Sequence, residues 1–293
     1  MEILKEKPEW VNEGAKGVTL VLGFFDGIHK GHRKVILSGV NEGHKTVVLT
    51  FKASPSEYFN KPVIYIYPRK HSYEILESLG VDYLEEDDFS SLVNIKAEDY
   101  LKLIVEKYSP KCIVTGFNHT FGLNKEGNNS LIKKYESKYG YKYISCSPCE
   151  DLGRIISSTY IKELLEKGDI EKANELLAEP FEITSTVIKG MQLGRKLGYP
   201  TANMDYPDNI VRIPYGVYKV EALGKNAILN WGVKPTLDGK KEGLEVHILG
   251  FNGDLYGQEL SIKILKKIRD ERKFDNLEEL KAQIKKDTEE CLK

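Results

Sequence analysis

Ten residues, Gly23 to His32 (GFFDGIHKGH), constrain this chain more than any others. They follow the apolar run Val18 to Leu22 and precede a helical pattern predicted over Arg33 to Val40, so the stretch reads as strand, tight turn and helix start. Gly23, Gly27 and Gly31 remove Cβ atoms where a backbone turns sharply or a ligand comes close, and His29 and His32 stand three apart beside them. Backbone N–H groups at a helix start favour anions. Two imidazoles there can donate hydrogen bonds to a triphosphate whose charge grows as a bond to phosphorus breaks. The plain alternatives are a glycine-rich turn with two surface histidines, or metal ligation by Asp26, His29 and His32; the surrounding glycines favour phosphate.

Strand and helix patterns alternate beyond this turn. Thr46 to Phe51 is an apolar strand, Ile75, Leu76 and Leu79 mark a helix ending at Gly80, and Val81 to Leu84 is a short strand before an acidic turn, Glu85 to Asp88. Ala97 to Lys107 is an amphipathic helix, Cys112 to Thr115 a strand ending at Gly116, Leu131 to Tyr139 a helix and Tyr141 to Ser145 a strand. Such alternation predicts an α/β fold with a doubly wound parallel sheet, whose ligand crevice lies beyond the carboxyl ends of the strands. Gly23 and Gly116 both fall at such ends. Ile156 to Leu177 reads as two helices broken at Gly168, with Ser157, Ser158 and Thr159 at the start of the first and Lys162 one turn in. Taken alone this is an N-cap; beside the glycine-rich turn it is a second candidate anion site.

The texture changes past Pro180. Phe181 to Lys189, Val217 to Leu223, Ala227 to Trp231, Leu244 to Leu249 and Leu260 to Ile268 are strand-like runs, with no helix until Leu277. A small β-barrel closed by a C-terminal helix is expected over residues 181–293, after an α/β domain over residues 1–180. A length of 293 residues suits two domains. Within the barrel, Gly190 to Met204 (GMQLGRKLGYPTANM) carries Gly190, Gly194 and Gly198 with basic Arg195 ahead of a Pro-Thr-x-Asn turn, a loop able to fold over phosphates. Thr201 and Asn203 are hard oxygen ligands suited to Mg²⁺, which completes its shell with water and substrate phosphate. Glu245 sits in an alternating run whose Leu244, Val246 and Ile248 point inward, and IRDERKF spans Ile268 to Phe274.

Formal net charge is −1 with 41% hydrophobic and 30% charged residues, a soluble globular composition with no broad attraction to nucleic acid or an anionic membrane. No apolar segment approaches the roughly 20 residues that span a bilayer, and no signal-peptide pattern opens the chain, so a cytoplasmic protein is expected. Cys112, Cys146, Cys149 and Cys291 are too scattered for a disulfide framework. Cys146-Ser-Pro-Cys149 has redox spacing but no helix opening after it and no second pair to complete a zinc site.

GxFDGxHxGH resembles the signature of the HxGH nucleotidyltransferases, and its form with Phe25, Asp26 and Gly27 is similar to that of bacterial bifunctional riboflavin kinase and FAD synthetase. ISST followed by a basic residue resembles the superfamily's other phosphate-binding element. PTAN, Glu245, GDLYG at Gly253 to Gly257 and Arg269 follow in the order of the riboflavin kinase family. The resemblance implies ATP-dependent phosphorylation of riboflavin to FMN in the barrel and adenylylation of FMN to FAD, with release of pyrophosphate, in the α/β domain. It implies nucleotide contacts at Gly23, Phe25, Asp26, Gly31, Asn118, Ser157, Ser158, Thr159, Lys162, Gly190, Gly194, Arg195 and Gly198. Catalytic roles fall on His29 and His32 in one half and on Glu245 in the other, Mg²⁺ on Thr201 and Asn203, and flavin contacts on Arg269, Glu271 and Phe274. The chain departs from the family at Ala53 and Ser54 ahead of Pro55, at His119 in GFNHTFG where an aromatic is usual, at Lys162 for arginine, and at Ala178-Glu179 for Gly-Arg. Rival readings are a kinase whose α/β domain only binds nucleotide, and a non-enzymatic flavin-binding regulator; the set Thr201, Asn203 and Glu245 speaks against the second.

Overall fold

The computed structural model describes residues 1–4, 17–190, 194, 198–236 and 239–292. The chain divides into two compact units, Met1–Val63 with Arg69–Ser157, and Ile64–Pro68 with Ser158–Lys293.

In the first unit β1 (Glu2–Leu4) and β2 (Val18–Leu22) lead into α1 (Lys30–Val40), followed by β3 (Lys45–Phe51), a short α2 (Pro55–Tyr58) and α3 (Arg69–Ser78). Then come β4 (Tyr83–Asp87), a short α4 (Phe89–Leu92), α5 (Ala97–Tyr108) and β5 (Cys112–Gly116). A hairpin of β6 (Thr120–Phe121) and β7 (Gly127–Asn128), α6 (Asn129–Tyr139), β8 (Lys142–Cys146) and a hairpin of β9 (Glu150–Asp151) and β10 (Arg154–Ile155) complete it. Six strands form a parallel sheet in the order β1-β4-β3-β2-β5-β8, as the alternation predicts. All five residues of β2 are buried, because helices cover both faces of a parallel sheet. Leu22 pairs with Leu49 and Thr115, so Gly23 and Gly116 leave the sheet side by side at its carboxyl edge.

Two local expectations are corrected. α1 starts at Lys30 instead of Arg33, capped by His29. Residues 85–87, expected in an acidic turn, instead form the end of β4. The acids are tolerated in a strand because each face neutralises them: Lys107 pairs with Glu85 on one side, while Arg69 and the Tyr73 hydroxyl hold Glu86 on the other.

The second unit opens with α7 (Ser158–Lys167) and α8 (Ile170–Leu176). β11 (Glu182–Ile188), β12 (Ala202–Met204), β13 (Gly216–Ala222), β14 (Lys225–Thr236), β15 (Gly239–Ile248) and β16 (Glu259–Arg269) then close a barrel in the order β11-β12-β15-β14-β13-β16, and α9 (Leu277–Cys291) follows. Closure removes sheet edges, which a small antiparallel sheet would otherwise expose. Part of PTAN, read from sequence as a turn, is strand β12, held between β11 and β15. The barrel also takes up the distant segment Ile64–Pro68: Tyr65 bridges Ile210, Ile66 and Tyr67 are buried, and the Tyr67 hydroxyl donates to the Glu179 carbonyl.

Candidate functional site

The turn after β2 is tight and strained. Gly27 adopts φ +81°, a conformation open to glycine, and buried Ile28 follows at φ +35°, which a β-branched residue adopts only where its surroundings compel it. That geometry sets His29 as the N-cap of α1, its Nδ1 accepting from the His32 backbone N–H at 3.3 Å. The two imidazoles stack with centroids 3.7 Å apart, and Phe25 meets His32 edge-on at 5.3 Å. Burial lowers His29 to about 4, and burial with the neighbouring His29 holds His32 well below the usual histidine range. Both rings are therefore neutral at pH 7. They can donate N–H bonds to phosphate without carrying charge of their own. A Cβ on Gly31 would lie 3.2 Å from the His29 ring and 3.6 Å from the Ile156 carbonyl, so the close approach at this position brings the residue before Ser157 against the histidine pair.

Gly23 donates to the Leu49 carbonyl and lines a cavity of about 900 Å³ at the carboxyl ends of β2, β3 and β4. Sequence reasoning missed this cavity. Its wall carries Phe51, Tyr58, Phe59, Phe89, Tyr100 and Phe121, with Phe89 edge-on to Phe51 at 5.4 Å and to Tyr58 at 5.5 Å. Tyr58 and Phe59 are 48% and 57% exposed, apolar area open to a planar ligand. The signal was the spacing SEYFN after Pro55, two adjacent aromatics in a polar loop. His119, one of the departures from the family, also lines this cavity, stacks on Phe121 and is lowered by burial to about 4. Asn118 is exposed beyond β5. Its loop is pinned by Asn129, unremarked in the sequence, which donates to the carbonyls of Gly116 and Phe117 and to the Ser145 hydroxyl. Asp26 is half-buried in the turn. Ser157 ends the first unit; Ser158 and Thr159 form the first turn of α7 in the second, with Lys162 half-buried further along it.

In the barrel, register aligns the predicted residues. Asn203 of β12 stands opposite Glu245 of β15, and Glu245 stands opposite Asn230 of β14, so the three form a row across adjacent strands. Leu244, Val246 and Met204 are buried on the other face, and Glu245 is half-buried. Asn230 was not singled out from sequence; only the pairing of β14 with β15 reveals it. Asn203 packs so closely on Gly190 that a Cβ there would lie 2.5 Å from its carboxamide carbon, and its Nδ2 donates to the Thr201 carbonyl at 3.4 Å. Gly194 is likewise confined, a Cβ falling 2.3 Å from the Tyr199 carbonyl and 3.4 Å from the Thr201 hydroxyl. Gly198 turns at φ +87°. Arg195 lies outside the described residues. Thr201 also lines a cavity of about 540 Å³ with Pro200, Val246, Phe251 and Tyr256. Among the described residues no cluster of His, Cys, Asp and Glu could hold a metal ion, whereas the hydroxyl of Thr201 and the carboxamide oxygen of Asn203 suit Mg²⁺ bound mainly through phosphate and water. Arg269 is held by the buried carboxylate of Asp287 on α9, with contacts of 2.8–3.1 Å, and lies over the Phe274 ring at 5.7 Å. The Glu271 carboxylate packs on Gly232, where a Cβ would lie 2.3 Å from it.

Comparison with known proteins bears on both units. A family model for FAD synthetase matches residues 11–160, and one for riboflavin kinase matches residues 177–293. The bifunctional riboflavin kinase/FMN adenylyltransferase of Escherichia coli (strain K12) is 34% identical over 93% of this chain and 91% of its own. That of Bacillus subtilis (strain 168) is 33% identical over 96% of this chain and 93% of its own. A crystal structure named as a macrolide-efflux protein from Streptococcus pneumoniae has a TM-score of 0.84 at 30% identity and covers 99% of this chain and 98% of that one. No helix among the described residues here is long and apolar enough to cross a membrane. With both family models matched in order and bifunctional relatives aligned along nearly its whole length, the chain belongs to the bifunctional riboflavin kinase/FMN adenylyltransferase family.

Proposed function

We propose that this protein makes flavin cofactors in two ATP-dependent steps, phosphorylating riboflavin to FMN and adenylylating FMN to FAD with release of pyrophosphate. The observation that carries this reading is that both family models match one chain, in the order its bifunctional relatives share. The adenylyltransferase is assigned to residues 1–180 and the kinase to residues 181–293.

For the kinase, Glu245 accepts the proton of riboflavin's terminal ribityl hydroxyl as the γ-phosphoryl group moves to that oxygen, chemistry in which positioning and charge neutralisation do most of the acceleration. Gly190, Gly194, Arg195 and Gly198 fold over the ATP phosphates. Thr201 and Asn203 would hold Mg²⁺, which neutralises phosphate charge when bound. Arg269, Glu271 and Phe274 border the riboflavin. In the adenylyltransferase, a phosphate oxygen of FMN attacks the α-phosphorus of ATP and pyrophosphate leaves. His29 and His32 donate to the phosphate oxygens that gain charge, supported by the amino end of α1 and by Gly23, Phe25, Asp26, Gly31 and Asn118. Ser157, Ser158, Thr159 and Lys162 also bind nucleotide phosphate. The aromatic cavity beyond β2, β3 and β4 takes the flavin ring of FMN, supported by its exposed Tyr58 and Phe59. Incubating purified protein with riboflavin and MgATP and separating the flavins tests the assignment: FMN and FAD are expected, and a flavin pool that stays riboflavin overturns it.

A further inference from the structure

The 900 Å³ cavity is walled largely by aromatic and apolar side chains, but Asp87, the last residue of β4, lines it at the carboxyl end of the sheet. Alternation along the strand places Glu86 toward Arg69 and Tyr73 of α3, and leaves Glu85 and Asp87 together on the other face, with Lys107 and Tyr100 of α5. Lys107 pairs with Glu85, whose Oε2 is buried without a hydrogen-bond partner, whereas Asp87 forms no ion pair among the described residues. Burial, then the adjacent Glu85 carboxyl, push Asp87 up to about 6 against the pull of Lys107 and of Lys52 beyond β3. In either protonation state the Asp87 carboxyl keeps an acceptor oxygen where it lines the cavity.

A flavin ring is apolar on its faces and carries one ring N–H, N3–H, between two carbonyl oxygens. An apolar wall against that edge would leave the donor unpaired at a cost, whereas a carboxyl oxygen can accept it. We infer that Asp87 is a specificity-determining residue of the adenylyltransferase, accepting the N3–H of the FMN ring while Tyr58, Phe59 and Phe89 cover its face. This rests on the reading that the cavity takes the flavin of FMN.

The test compares FAD-forming kcat/KM for FMN and for N3-methyl-FMN, which lacks the donor. Wild-type protein is expected to favour FMN by about tenfold or more, the scale of one lost hydrogen bond that leaves a buried acceptor unpaired. Asp87→Leu should bring FMN down to the N3-methyl level, with a ratio near one, while Asp87→Asn, which keeps an acceptor oxygen, should retain a ratio of several-fold and serves if the leucine variant does not fold. Phe89→Ala should weaken both flavins alike. A wild-type ratio near one, or a ratio unmoved in Asp87→Leu, or in Asp87→Asn a ratio near one with FMN unaffected, overturns the role of Asp87 and leaves the cavity assignment standing if Phe89→Ala still weakens both. Phe89→Ala without effect on either flavin overturns the cavity reading and the inference with it.

Discussion

Asn203 and Glu245 face one another across the antiparallel pair β12 and β15, so a residue suited to Mg²⁺ and a residue suited to accept a proton are cross-strand partners. Directly opposed side chains in such a ladder have Cβ atoms about 5 Å apart, close enough to meet at one transferring group. Glu245→Gln keeps the shape and removes the charge. Kinase turnover is expected to fall by about 10² or more, while FMN adenylylation is unchanged. The rate of FMN formation at saturating riboflavin and ATP checks this, and a near-normal rate removes Glu245 from the mechanism.

Gly190 tests the same site from behind. Its φ lies outside the left-handed region, so alanine suits the backbone, yet the added Cβ would lie 2.5 Å from the Asn203 carboxamide carbon. Gly190→Ala should displace Asn203 and lower kinase kcat/KM for ATP by roughly tenfold or more, since misplacement of about 1 Å can cost 10². Titration with Mg²⁺ at fixed ATP should show a higher requirement, with thermal stability little changed.

The buried histidine at the start of α1 makes a pH prediction for stability. His29 titrates near 6.5 when unfolded and about 4 when folded, because burial disfavours its charged form. Between those values the unfolded chain binds more protons, so stability is full above about 6.5 and is lost as pH falls toward 4. The first unit's melting temperature should drop across that window, and His29→Phe should flatten the drop. Equal slopes in the two proteins would contradict the burial argument.

The strand-turn-helix around GFFDGIHKGH and the barrel after Pro180 were legible because backbone chemistry is local: glycines mark turns and apolar runs mark buried strands. What stayed hidden was set by partners far along the chain. Glu85, Glu86 and Asp87 resemble a solvated turn until Lys107, Arg69 and Tyr73 are seen beside them. Asn230 acquires significance only from its register with Glu245. Ile66 and Tyr67 lie in a stretch with no barrel-like pattern, and their burial is purely tertiary.

Those distant contacts bear on fragments of the kinase half. Asn174 of α8 accepts from the Phe181 N–H and donates to the Ile264 carbonyl of β16, both at 2.8 Å, and Ile170, Ala173 and Leu176 are buried. A fragment over residues 158–293 should therefore melt about 5–10 °C above one over residues 182–293. Calorimetry of the two fragments decides it, and coincident transitions would show that α7 and α8 add nothing to the barrel.

The central claim, two chemistries on two different phosphorus atoms of ATP, is tested most directly by isotope position. Riboflavin should acquire label from γ-labelled ATP as FMN, and supplied FMN should acquire label from α-labelled ATP as FAD, with β- and γ-phosphorus released together as pyrophosphate. Glu245→Gln should lose only the first transfer and His29→Ala only the second. Wild-type protein that never places α-label in a flavin, even at saturating FMN and MgATP, would contradict the account and leave a kinase alone.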